Sequence, residues 1–301
     1  MIRTFVVMLL LSVLGDQGYG QNMDTVRIIS YNIWNGFDWG KDTGRAENFQ
    51  DWMKEKDSDV AALQELCGYT HQRLKEEASN WAHSHVALLK TTGYSVGLSS
   101  KYPIEIIEKI TKGMHHGAIH CRTMGIDFLV VHLHPGSIER RREEMQILIK
   151  KIEEISRSTE KLMVLGDFNA HSPFDAHLYD PDGYLLKRLR DNNKEKKGLS
   201  GNLVNQDLDY AVISGFLSCP LNDVLRNFTS TIQERGSFPA RSLMPLNSES
   251  EVEIMARMER IDYILVSEEL APACISAKIF NGEENWYLSD HYPVFAEFLL
   301  D

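Results

Sequence analysis

Leu162-Met163-Val164-Leu165-Gly166-Asp167-Phe168-Asn169-Ala170-His171 begins with four apolar residues running into a glycine, and then sets two short polar side chains two positions apart. Such a pattern reads as a buried strand ending in a turn, which delivers Asp167 and Asn169 on one side of the chain at a sheet edge. A carboxylate and an amide held there can position a nucleophilic water or grip an oxyanion as its charge builds. Gly, Asp and Asn are also ordinary strand-end residues. The stretch therefore gains chemical meaning only from what the rest of the chain puts beside it.

Other apolar runs close in the same way. Positions 26–33 form a β-branched strand that ends on Asn32, and 59–65 form a buried strand that ends in Glu65. Positions 127–131 run into His132-Leu133-His134-Pro135, 260–266 carry Asp262 inside a strand, and Asp290-His291 precede the last strand. Taken singly, Asn32, Glu65, His132, Asp167, Asn169, Asp262, Asp290 and His291 each have a structural explanation. Together they do not, because burying unpaired carboxylates costs several kcal/mol each unless a cation or a hydrogen-bond donor meets them. Carboxylates with an amide and no cysteine ligand make a hard, oxygen-rich site suited to magnesium, with manganese or calcium as alternatives.

The remaining elements alternate with these strands. Helical spacing is read at 45–56 (Phe49, Trp52, Met53), at 72–81 and, most clearly, at 138–155, where Met145, Leu148, Ile149 and Ile152 recur every three or four residues. The basic start of that last helix, Arg140-Arg141-Arg142, reads as a solvated face. Short strands are expected at 95–98, 104–107, 117–120 and 208–213. The segment 34–39 reads as a loop rich in glycine and aromatics, 172–201 as a polar surface excursion around a short helix, and 235–252 as irregular. Nothing long enough to act as a linker divides 21–301, so one catalytic domain is expected.

Hydrophobic content of 43% and charged content of 25% over 301 residues are those of a globular protein with a substantial core. A formal charge of -11 argues against a broad basic face for nucleic acid, though a local cationic groove or a bound metal ion can do that work. Residues 1–20 combine Arg3, an apolar run at 5–14 and Gly18-Tyr19-Gly20, the pattern of a secretory signal peptide cut near Gln21. No later segment is apolar for long enough to span a bilayer. A secreted or periplasmic monomer is therefore expected. Cys67, Cys121, Cys219 and Cys274 are too scattered for a disulfide framework and lack zinc-ligand spacing, which leaves buried thiols or at most one or two bridges.

Six blocks occur in order: Ser30-Tyr31-Asn32-Ile33, Leu63-Gln64-Glu65, Val131-His132-Leu133-His134-Pro135, Gly166-Asp167-Phe168-Asn169, Arg260-Ile261-Asp262-Tyr263-Ile264 and Ser289-Asp290-His291-Tyr292-Pro293-Val294. With them the chain resembles the endonuclease/exonuclease/phosphatase superfamily, as an exported member. That fold is shared by secreted deoxyribonucleases, abasic-site endonucleases, bacterial sphingomyelinases and inositol-polyphosphate phosphatases. The resemblance implies an α+β architecture of two mostly antiparallel β-sheets packed face to face, with helices outside and the active site at one rim.

It also implies roles. Glu65 would be the main magnesium ligand, with Asn32 and Asp290 in or near its coordination shell. His291, oriented by Asp262, would activate water or bind a phosphoryl oxygen. Asp167 and Asn169 would position the water and the phosphorus-bound oxygens, and His132, rather than His134, would donate to a non-bridging oxygen. Some nucleases of the superfamily carry a second metal-leaning carboxylate where this chain has Trp34, which favours one principal metal site and argues against abasic-site cleavage. His115, His116, His120 and Arg122 are the further candidates for phosphate contact. The expected substrate is a phosphoester, nucleic acid or phospholipid headgroups foremost, with rim aromatics Trp34, Phe37, Trp39, Trp286 and Tyr287 able to stack on bases, meet a lipid or cover a cation. A phosphomonoesterase acting on sugar or inositol phosphates and a catalytically silent binding relative remain as alternatives. A metallo-β-lactamase-like site, suggested by His132 and His134, lacks the further ligands it needs.

Overall fold

The computed structural model describes residues 24–180, 183–195, 201–243 and 256–300. The expected leader at 1–20 lies outside them, as does 244–252 of the segment read as irregular. Strands β1 (Asp24–Asn32), β2 (Val60–Gln64), β3 (His85–Leu88) and β4 (Gly97–Ser100) join β13 (Cys274–Ile279) and β14 (Val294–Leu300) in one sheet, ordered β13-β14-β1-β2-β4-β3. The second sheet is built from β5 (Glu105–Ile110), β6 (Ala118–Thr123), β7 (Ile126–His132), β8 (Leu162–Asp167), β11 (Leu221–Asp223) and β12 (Asp262–Ser267), in the order β11-β12-β8-β7-β6-β5. A two-stranded hairpin of β9 (Leu203–Val204) and β10 (Asp207–Leu208) stands apart from both. Each large sheet is antiparallel except at one central pair, β1–β2 in the first and β7–β8 in the second. The architecture is the expected α+β sandwich of two facing sheets with helices outside.

Side-chain alternation explains why the central strands read as continuous apolar runs. Ile28 of β1, Phe128 and Val130 of β7, and Met163 and Leu165 of β8 point into the core between the sheets. Their neighbours Leu129, Val131 and Val164 point the other way, against Leu148 and Ile152 of the helix Ile138–Ile155. Ile29 and Tyr31 likewise pack on Phe49 and Trp52 of the helix Thr43–Lys56. A strand buried on both faces has no polar side, so its first polar residue marks where it leaves the core.

Three sequence readings are corrected. In the run at 208–213 only Leu208 is in a strand, the end of β10, and 211–213 begin a helix, Ala211–Leu217, in which Val212, Ile213 and Phe216 share the cluster with Met145 and Leu148. A short β-branched run fits either period, and packing against a neighbouring helix decided it. Arg141 is not on a solvated face; it is fully buried and donates to the carbonyl of His134 at 2.7 Å and to Asn202 at 2.6 Å. Residues 34–39 are not an irregular loop but a tight turn of left-handed helix, with φ between 52° and 59° from Asn35 to Phe37. All four cysteines are free thiols, and no helix among the described residues is long and apolar enough to cross a membrane.

Gly166 is fixed by close approach. Its φ is 141°, and a Cβ there would lie 2.0 Å from the carbonyl oxygen of Val131 on the parallel neighbour β7. Gly166→Ala should therefore lose more than about 3 kcal/mol of stability, the range of severe backbone and overpacking lesions. Urea denaturation checks this; a variant within about 1 kcal/mol of wild type would mean that β7 and β8 can separate without cost.

Candidate active site

The sheets bring their polar strand ends to one rim. β1 supplies Asn32, the residue after β2 is Glu65, β7 ends in His132, β8 in Asp167, and β12 begins with Asp262. Pairing register puts His132 opposite Asp167 across the parallel ladder, and Asp262 opposite Asp167 across the antiparallel one. Asp290 and His291 arrive from the loop before β14. Ser289 holds that loop on β1 by donating from Oγ to the Asn32 carbonyl at 2.6 Å.

Asp167 is the centre. Its Oδ1 accepts from the Asn169 backbone amide at 2.8 Å and its Oδ2 from Asn32 Nδ2 at 3.0 Å. His132 Nε2 lies 3.5 Å and His291 Nε2 3.7 Å from the same Oδ2. Burial and the nearby Asp262 carboxylate push the Asp167 carboxyl up to about 8, against the opposing pull of His291. Burial disfavours charge on His291, but Asp262, Asp167 and Asp290 outweigh it and hold the imidazole well above its ordinary range. Its Nδ1 is bonded to Asp262 Oδ2 at 2.9 Å, the orienting pair expected from the sequence. His132 has no such partner; burial, with His116 next, holds it well below the ordinary range and so neutral.

Glu65 stands beside this group. Oε2 accepts from the Asn35 backbone amide at 2.7 Å, and Oε1 from Asn32 Nδ2 at 3.3 Å. Burial raises the Glu65 carboxyl and the nearby Asp290 charge raises it further; burial likewise raises Asp290. Neither carboxylate forms an ion pair with lysine or arginine among the described residues. Two half-buried carboxylates without a lysine or arginine partner, one of them held by the Asn32 amide, fit a hard divalent ion. A second grouping, Asp167, Asp262 and His291, has one ligand atom from each within 4.8 Å of the others. There the His291–Asp262 hydrogen bond already engages Nδ1 and Oδ2; in the Glu65–Asp290–Asn32 set the Glu65 and Asn32 oxygens accept only amide hydrogen bonds and keep lone pairs for a cation.

All eight residues singled out in the sequence meet here. Asn169 does so with a restriction: its Nδ2 is committed to the Leu133 carbonyl at 3.1 Å, leaving Oδ1 for a ligand. The secondary candidates divide. His116 stacks on His132 with ring centroids 4.1 Å apart, whereas His120 and Arg122 are engaged by Asp127 at 2.6 and 3.1 Å within the second sheet. Of the rim aromatics, Trp39 and Tyr287 are exposed, but Phe37 is wholly buried core. The sequence reading missed Ser289, Ser237 and Arg45. Ser237 Oγ accepts from the backbone amides of Ile261 and Asp262, and no spacing signals such a contact.

A family model described as "Endonuclease/Exonuclease/phosphatase family" matches residues 29–291. No curated protein matches the chain. Among solved structures, an AP endonuclease from Archaeoglobus fulgidus is 18% identical with a TM-score of 0.64, over 91% of this chain and 99% of that one. A 3'-5' exonuclease from Neisseria meningitidis is 19% identical with the same TM-score and the same coverage. A 3' phosphatase from Neisseria bound to a product DNA hairpin is 21% identical at a TM-score of 0.64, again over 91% and 99% of the two chains. At these identities the likeness is one of fold.

Arg45 ties the two loops of the site together. Its Nη1 donates to the carbonyls of Ile33 at 2.9 Å and Leu288 at 3.1 Å, and its Nη2 to that of Trp34 at 2.9 Å. These carbonyls immediately follow Asn32 and precede Ser289-Asp290. A lysine cannot reproduce this fork. Arg45→Lys should lose about 2 kcal/mol of stability and also bind magnesium more weakly in calorimetric titration at a temperature where both proteins are folded. Unchanged magnesium affinity would reduce Arg45 to a purely structural role.

Proposed function

The chain belongs to the endonuclease/exonuclease/phosphatase family, and we propose that it is an exported, magnesium-dependent phosphoester hydrolase, with phosphodiesters of nucleic acid or phospholipid headgroups ahead of phosphomonoesters. The observation that carries the reading is the meeting of Asp167 with His132, His291 and Asn32, within reach of Glu65 and Asp290. Residues 21–301 would act as one catalytic domain, monomeric and secreted or periplasmic; the apolar run at 5–14 behind Arg3 supports export.

Glu65, with Asp290 and Asn32, would hold the divalent ion, which when bound supplies charge neutralisation at the phosphoryl oxygens. The remaining work falls to side chains already in place. Asp167, in its ionised form, accepts the proton of the attacking water while the Asn169 amide fixes its Oδ1. His291, charged and oriented through Nδ1 by Asp262, directs Nε2–H at a phosphoryl oxygen. His132, neutral, offers a second donor without adding charge. Phosphoryl transfer leaves a protein little covalent chemistry, so positioning and electrostatics dominate. The solved neighbours include an AP endonuclease, an exonuclease and a 3' phosphatase, which supports phosphoester chemistry without choosing a substrate.

A hydrolysis panel with magnesium and with chelator tests this directly: plasmid DNA, RNA, sphingomyelin, bis-p-nitrophenyl phosphate and p-nitrophenyl phosphate. At least one should be turned over and silenced by chelator. Glu65→Gln should lose at least about a hundredfold in kcat, the scale of removing one preorganised electrostatic group, while staying folded. No chelator-sensitive hydrolysis of any substrate would defeat the proposal; a Glu65→Gln protein that still binds its ligand without turnover by either form would favour a silent binding relative.

A further inference from the structure

Four histidines stand together on one side of the site. The rings of His132 and His116 are stacked at 4.1 Å, His116 and His115 meet at 4.3 Å, and His115 and His134 at 4.2 Å. The series runs from buried His132 and His116 to half-buried His134 and exposed His115. Three histidines elsewhere in the core are matched to carboxylates, His291 to Asp262, His120 to Asp127 and His171 to Glu259, and buried His83 is held by the Ser99 hydroxyl and the Ser58 carbonyl. His115, His116 and His134 form no ion pair among the described residues, and the Nδ1 of the almost fully buried His132 has no hydrogen-bond partner at all.

The surroundings add positive charge. Lys90 is half-buried, forms no ion pair among the described residues, and lies close enough to disfavour protonation of His115, His116 and His132. Arg140 and Arg141 act in the same direction on His134. The Glu144 carboxylate is spent on the backbone amides of His115 at 2.6 Å and His134 at 2.8 Å, which fixes the two ring-bearing segments relative to each other. On the far side of His132 stands Asp167. His134 Nδ1 accepts from the amides of Gly136 and Ser137, so its Nε2 is the nitrogen left to donate.

His132 and His116 cover each other's faces, His115 meets His116 edge to face and His134 at a tilt, so the outer end of the series leaves the exposed His115 ring and His134 Nε2 for a ligand. That geometry suits hydrogen bonding, not stacking on a base. Imidazole N–H groups beside an unpaired ammonium are complementary to phosphate oxygens, which accept several such bonds at once. A metal ion is disfavoured by Lys90, and the ring nitrogens do not converge as ligand sets do; the grouping of that kind among the described residues is Asp167, Asp262 and His291.

We propose that His115, His116, His134 and Lys90 form a second anion subsite, joined to the catalytic one through His132, that takes a second phosphate group of the substrate. The assignment of that phosphate to a substrate rests on the hydrolase reading above; the subsite itself does not. A phosphorylated polyol and a short nucleic acid both carry such a group.

Two measurements separate the claims. In metal-stripped protein with chelator, inorganic phosphate should move the imidazole ¹H–¹⁵N resonances of His115, His116 and His134 while leaving His120 and His171 in place. Uncompensated Glu65 and Asp290 keep phosphate out of the catalytic site under these conditions. Lys90→Met should weaken this binding about tenfold, the worth of one charge-assisted hydrogen bond. In the second measurement, wild type, Lys90→Met and His115→Asn are compared on a polyol bisphosphate, its monophosphate, and a dinucleotide with and without a 5'-phosphate. Both variants should lose at least about tenfold more kcat/KM on the doubly phosphorylated member of whichever pair is cleaved, and that pair identifies the carrier. Absent or uniform histidine shifts overturn the subsite even if hydrolysis is found. Selective shifts without hydrolysis of any substrate keep the subsite and defeat the hydrolase reading. Equal losses on both members of the pair overturn the assignment to a second phosphate.

Discussion

Negative charge gathered where the described residues supply no lysine or arginine to match it is the constraint on which the rest of this structure depends. Glu65, Asp167 and Asp290 are held at the rim of the sandwich without a lysine or arginine partner among the described residues, and burial raises all three. Such an arrangement costs several kcal/mol per group and persists only if the surrounding fold over-determines it. The fold does so by backbone. Asp167 ends a strand buried on both faces, Glu65 follows another, and Asp290 is tied through Ser289 to the carbonyl of Asn32. Under the proposed function a divalent ion and a phosphoryl group would offset that cost, and the gathered site argues for ligand binding more strongly than any one of its residues.

Local strain gathers at the same rim. Glu65 and Asn169 adopt φ of 60° and 50°, and a run of non-glycine residues beginning at Trp34 is left-handed as well. Left-handed helix costs roughly 1–2 kcal/mol per residue for an L-amino acid. What it gains here is direction: the Asn35 amide is turned onto Glu65 Oε2, and the Trp34 amide onto Asn32 Oδ1. Arg45 grips the carbonyls at the start of this turn and lies 5.0 Å from the Trp34 ring and 4.9 Å from that of Phe37. Strained backbone at functional sites is expected where a fixed donor or acceptor is worth more than relaxed geometry.

The readability of the sequence followed the same physics. Strands such as Ile126–His132 and Leu162–Asp167 were legible because two buried faces leave no polar positions until the chain exits. The polar residue at each exit was legible for the same reason, and the strand register sets His132, not His134, opposite Asp167. What was not legible depended on partners distant in sequence. Arg141 looked like one of three solvated arginines, yet its position on the helix aims it inward at the His134 carbonyl. The run at 208–213 had the composition of a strand until Met145 and Leu148 gave it a helical surface to meet. His116 and His120 are equivalent in sequence; only the strand register shows one stacked on His132 and the other bound to Asp127.

Chemistry and selectivity consequently lie on different parts of the molecule. The eight polar residues of the site sit on, or within a few residues of, the inner strands β1, β2, β7, β8 and β12 and the turn into β14, which share the central core with little freedom to vary. Neighbours of 18–21% identity superimpose on this framework over 91% of the chain, so the framework alone cannot choose among substrates. Residues that could choose are carried by the segments around the rim: Trp39 on the left-handed turn, Lys90 and Tyr94 beyond β3, His115 and His116 before β6. Their rings are continuous with the catalytic ones, Trp39 meeting Tyr94 at 6.2 Å, Tyr94 meeting His116 at 5.2 Å, and His116 lying on His132. Under the proposed function, a substrate group bound along this wall would press on His132, the residue proposed to face the scissile phosphate. Selection and catalysis would then be coupled through one imidazole, with binding energy gained at the rim spent on aligning His132.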